Sequence, residues 1–118
     1  MEITVPVSVG ELVDKITILE IKSLFSDNKY LERELNELNK IKNTITSITL
    51  EQELQLKRVN EKLWKIENKL RLKEKLQEFD NEFIDLARQV YLTNDRRAEI
   101  KRQINEQTNS LYREIKLY

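Results

Sequence analysis

Along most of the chain, apolar side chains return every three or four residues; only at residues 2–7 and 113–118 do they alternate with polar ones. The first pattern predicts amphipathic helices and the second predicts short extended segments. Ser8-x-x-Glu11 has the form of a capping box and opens a first helix over 9–25. Leu12, Val13, Ile16, Ile18, Leu19, Ile21 and Leu24 leave that helix few wet sides, so it should be the central, most buried element. After the break at Ser26-Asp27-Asn28, Leu31, Leu35, Leu38 and Ile45 trace a narrow stripe over 29–45. The β-branched run Thr44 to Thr49 disfavours helix and offers side-chain caps, which places a turn there.

A third helix then runs to about residue 76, with Leu56, Val59, Leu63, Ile66 and Leu70 at alternating spacings of three and four. Two narrow seams joined by a short turn predict a long antiparallel hairpin arm over 29–76. A second break at Phe79-Asp80 leads to a last helix over 81–110. The expectation is an all-α helical bundle, one domain over 1–118. The alternating segments EITVPV and EIKLY can pair as a short terminal β-ribbon, or the second can be a fraying helix end.

The last helix carries an anomaly. Its apolar stripe passes through Phe83, Leu86, Val90, Ile100, Ile104 and Leu111, yet Thr93, Asn94, Arg97, Lys101, Asn105 and Thr108 fall within or beside the same arc. Asp95, Arg96, Glu99 and Glu106 point the other way. On the first helix, Glu20 lies near the middle of the apolar arc, flanked by Thr17 and Ser23. A carboxylate and a guanidinium are each costly to bury alone but can persist as a pair. Arg97 is therefore expected to pair with Glu20, with Lys101, one turn on, and Asn94 close by. Three readings follow: a structural ion pair that fixes register, a pocket for a small anion formed by Glu20, Asn94, Arg97 and Lys101, or a solvated stripe at a helix kink near Asn94.

Composition narrows the chemistry more than it suggests any. The chain has 21 basic and 21 acidic residues, no Cys, no His, one Gly and one Pro. Balanced charge gives no general argument for nucleic acid or membrane. Without Cys or His there is no thiolate, imidazole base or ordinary zinc site, and a lone Gly10 cannot build a phosphate-cradling loop. No metal and no cofactor are expected. No apolar run approaches a membrane span and no signal peptide opens the chain, so the cytoplasm is the expected location.

Between Lys57 and Lys75 eight Lys or Arg face three Glu, a basic stripe with no recognition motif beside it; nucleic acid is not the expected partner. Trp64 lies off the seam of its helix, as do Leu54 and Leu72, and such a second apolar stripe is more often an interface than a ligand site. A homodimer is the expected assembly.

The words VPVSVGELVDKITILEIK, LWKIE, FIDLARQVYLTNDRRAEIKRQIN and EIKLY resemble a family of small uncharacterised bacterial and phage helical proteins, a domain of unknown function. The resemblance spans nearly the whole chain, most firmly at its two ends. It implies a cytoplasmic protein, sometimes associated with surface-polysaccharide or sugar-related genes, and assigns no activity. Its motifs take in Asp14, Lys15, Glu20, Asn94, Asp95, Arg96 and Arg97 without giving any of them a role. The reading taken forward is an interaction or binding module. Its rival is a cofactor-free enzyme acting on an anionic metabolite, by analogy with the buried cations of helical chorismate mutases.

Overall fold

The computed structural model describes residues 1–118 as four helices: α1 (Val9–Ser23), α2 (Lys29–Lys42), α3 (Leu50–Leu76) and α4 (Asn81–Gln107). The all-α bundle is as expected. No helix is long and apolar enough to cross a membrane.

Local chemistry sets the boundaries. The Ser8 hydroxyl accepts from the Glu11 N–H and caps α1, but Glu11 does not complete the box because its carboxylate reaches Lys101 instead. The full reciprocal box stands at the start of α3, where the Gln52 N–H bonds Thr49 Oγ1 and Gln52 Oε1 accepts from the Thr49 N–H. Asn28 and Asp80 cap α2 and α4 in the same way with a side-chain oxygen. Gln77 ends α3 in the left-handed region, at φ 57°. Lys73, from the last turn of α3, then gathers Glu78, Asp80 and Glu82 around its ammonium and holds the α3–α4 connection.

α1 is the centre, touching α2, α3 and α4. Val13, Leu56, Ile100 and Ile104 form the core where α1, α3 and α4 meet, with Val9, Ile48 and Val59 packed around them. The antiparallel hairpin of the bundle is formed by α3 and α4. The seams of α2 and α3 predict a hairpin between these two helices, but α2 packs against α1, and its link to α3 is the Lys42–Glu53 ion pair at one end. The seam was correctly placed; its partner was not, because α1 presents a broader apolar face than α3 can offer.

Two further expectations change. α4 runs unbroken through Asn94, with no new helix start there. Residues 1–7 and 111–118 form no strand, and Ile3, Val5, Ile115 and Leu117 are all exposed. Pro6 lacks a ladder donor, and a two-stranded ribbon without a third strand is marginal in water. Chain placement near this end comes instead from Ser110, whose hydroxyl accepts from the Val9 N–H and donates to the Tyr112 carbonyl.

Candidate functional site

The crossing of α1 and α4 begins at the chain's only glycine. The Gly10 N–H donates to Asn105 Oδ1 at 2.7 Å, and a Cβ at this position would meet the Lys101 carbonyl oxygen at 2.7 Å. Only hydrogen fits there. The helices run antiparallel, so this contact sets which residues face one another along the rest of the crossing.

One turn beyond Gly10 lies Asp14, 1% exposed. Arg97 grips its carboxylate with two donors, Nε to Oδ1 at 2.9 Å and Nη2 to Oδ2. Asn60 of α3 donates from Nδ2 to Asp14 Oδ1 at 2.9 Å and to Thr17 Oγ1 at 2.8 Å. The Thr17 hydroxyl donates back to the Asp14 carbonyl. Lys101 sits 3.9 Å from Asp14 Oδ2 and is held by Glu11 at 2.7 Å and Glu114 at 3.3 Å. Every buried side-chain nitrogen and oxygen in the protein has a partner. The carboxylate beside it holds the Arg97 guanidinium above its ordinary value, and so it stays charged throughout the accessible pH range.

The inward-facing arginine is therefore real, but its partner is Asp14 and not Glu20. Glu20 sits at the last turn of α1, partly exposed, and pairs with Lys57 of α3 at 3.4 Å. Helical projection gives the angle of a residue and not its height: Glu20 lies six residues past Asp14, roughly 9 Å farther along the axis and away from Arg97. Arg97 and Lys101 do converge on one carboxylate, as their spacing required. That carboxylate belongs to the chain itself.

Asn94 stays with Arg97, its Oδ1 accepting from Arg97 Nη1 at 3.4 Å. Lys101 faces the opposite side, toward residues 113–116. Asn94 and Lys101, expected to share one pocket, thus lie on either side of Asp14. Of the three off-seam residues on α3, Leu54 and Leu72 are exposed. Trp64 is half-buried and already stacked on Phe25, with ring centroids 5.6 Å apart and planes 11° apart.

A cleft of about 520 Å³ opens beside this network, between Ile18 and Ile21 of α1, Asn60 to Arg71 of α3, and Asn94 and Arg97 of α4. Trp64 and Leu63 supply apolar surface, Asn68 and Glu67 polar surface. Arg71 lines it and makes no ion pair. Asn60 is 5% exposed and both its hydrogen bonds use Nδ2. Its Oδ1 accepts none and is not fully buried, and Asn60 lines the cleft. The amide cannot flip, because that would turn its oxygen onto the Asp14 carboxylate. Asn60 was not singled out from sequence, and Asp14 only as one of the residues within the family motifs, without a role. Asp14 lies at the edge of the α1 arc, and only the Gly10 crossing brings it under α4.

Residues 3–118 match the family described as "Family of unknown function (DUF6165)", and the chain belongs to that family. No curated protein and no solved structure matches it.

Proposed function

We propose that this member of a family of unknown function is a binding module for a small anionic ligand that also carries a hydroxyl or N–H donor. The observation that carries the reading is Asn60: a buried amide lining the cleft, oriented by the Asp14 network and with its oxygen unpaired, beside the unpaired Arg71. A fixed acceptor of this kind asks for a donor, and an unpaired guanidinium asks for a carboxylate or phosphate. Arg97 contributes less charge than the sequence implied, because Asp14 neutralises it. It serves to position Asn94, whose NH2 group is free to face the ligand. Trp64 gives the ligand an apolar wall. Lys101 and Glu20, bound to Glu11, Glu114 and Lys57, stand outside this site.

The test is calorimetric titration with glycerol 3-phosphate and with propyl phosphate, which lacks the hydroxyls. Glycerol 3-phosphate should bind about 10-fold tighter, the preference expected when a fixed acceptor is left without its donor. Arg71→Ala should weaken both by about 10-fold or more while leaving the melting temperature unchanged. Absence of binding by either compound, and by carboxylate analogues of the pair, refutes the ligand-site reading; equal affinities refute the role of Asn60 alone.

A further inference from the structure

The back of α3 carries a second pattern. Leu56, Asn60, Leu63 and Ile66 of this helix are buried. On the opposite face Leu50, Leu54, Leu72 and Leu76 are 70%, 42%, 56% and 55% exposed, and no other helix covers them. Leu54 and Leu72 are about five whole turns apart and so share one line along the helix. Between them the same line passes through Arg58, Glu61, Lys65 and Asn68. Trp64 falls about a quarter turn to one side and is occupied by Phe25.

This line reads the same in both directions about the level of Leu63. Leu50 mirrors Leu76, Leu54 mirrors Leu72, and Glu61 mirrors Lys65, with opposite charge. Neither Glu61 nor Lys65 has an ion-pair partner within the chain, although they are one turn apart. We propose that this face pairs with the same face of a second copy of the chain, α3 against α3 in antiparallel register.

In that register each outer pair of leucines meets the other pair of its partner, and Glu61 and Lys65 form two crossed ion pairs at the centre. A parallel register would bring the same leucines together but set Glu61 against Glu61 and Lys65 against Lys65. Charge thus selects the antiparallel arrangement, in the way that polar positions fix orientation in coiled coils. A two-fold axis through the middle of α3 closes the assembly at two chains. The seam is about 40 Å long; it flanks the cleft, sharing only Asn68 with it, and because Leu50, Leu54, Glu61, Lys65, Leu72 and Leu76 do not line the cleft, the pairing does not depend on the ligand reading.

Sedimentation velocity from low to high micromolar concentration tests this. The wild type should dimerise. Glu61→Lys and Lys65→Glu should each weaken the dimer by about 10-fold or more, and the double reversal should restore it. All four proteins should keep the same helix content, since both positions face away from the core. Because the chain has no cysteine, register can be read directly. A mixture of Leu54→Cys and Leu72→Cys proteins should form a mixed disulfide faster than either alone, as two copies of position 54 lie roughly 27 Å apart along the seam. A wild type that stays monomeric overturns the proposal. So does a dimer indifferent to both single reversals, or one in which Leu54→Cys links preferentially to itself.

Discussion

α1 and α2 are consecutive helices of nearly equal length, 15 and 14 residues, and they are held in opposite ways. α1 buries eight residues, α2 none. α1 is tied to α4 by contacts that link residues 83 to 95 positions apart, through Asp14, Gly10 and their partners. α2 rests on α1 by the half-buried Leu31, Leu35 and Leu38. Two ion pairs, Lys15–Glu34 and Lys42–Glu53, join it to α1 and α3. The difference shows that amphipathicity alone does not rank a helix's place in the bundle. What sets α1 apart is a second set of contacts, polar and buried, at the edge of its apolar stripe.

The contrast can be broken most forcefully at Asp14. Replacing it by alanine leaves Arg97 and Lys101 facing each other without their common carboxylate, and should cost about 3–5 kcal/mol in denaturant unfolding. A cost near that of Arg96→Ala, below about 0.5 kcal/mol, would mean that the network adds nothing to the apolar core. Next is Gly10→Ala. The added methyl meets backbone and not a yielding side chain, so α1 and α4 must part, at about 1–3 kcal/mol. In α2, Leu35→Ala should cost only about 1 kcal/mol. Amide exchange there should proceed through local opening, while the amides of α1 wait for global unfolding; uniform protection of the two helices would erase the distinction.

The smallest effect concerns residues 113–116. The ammonium of Lys116, and after it that of Lys101, holds the Glu114 carboxyl below its usual value of 4.5. A carboxyl lowered in the folded state adds stability above its unfolded value and loses it as pH falls through the folded one. Wild type and Glu114→Gln should therefore differ slightly in melting temperature at neutral pH, by under about 1 kcal/mol in stability. They should converge below the carboxylate range; a gap that persists in acid would assign the difference to packing.

Much of this architecture was legible in the residues. Helical periodicity placed all four helices, and the β-branched run before Leu50 and the Phe79-Asp80 break placed two of the turns. It also found the inward-facing polar set on α4. What it lacked was the relative height of α1 and α4, which is fixed by a close approach at Gly10 that no stripe of leucines announces. One missing coordinate moved the partner of Arg97 from Glu20 to Asp14 and put Lys101 on the far side of the crossing. The same limit applies to α2: a seam states that a helix has a partner, not which helix it is. The apolar alternation at residues 2–7 and 113–118 predicted short strands, but these residues form none, since two such segments do not supply a sheet.

The separation in sequence of the contacts that hold α1 also bears on the order in which the chain assembles. The α3–α4 connection is built from neighbours: Lys73 reaches Glu78, Asp80 and Glu82, at most nine positions away. Closing so short a loop costs little entropy, whereas bringing Asp14 to Arg97 means ordering most of the chain in between. Loop-closure entropy therefore predicts that the α3–α4 hairpin forms first and that the docking of α1, through Gly10 and Asp14, follows as the step that completes the bundle.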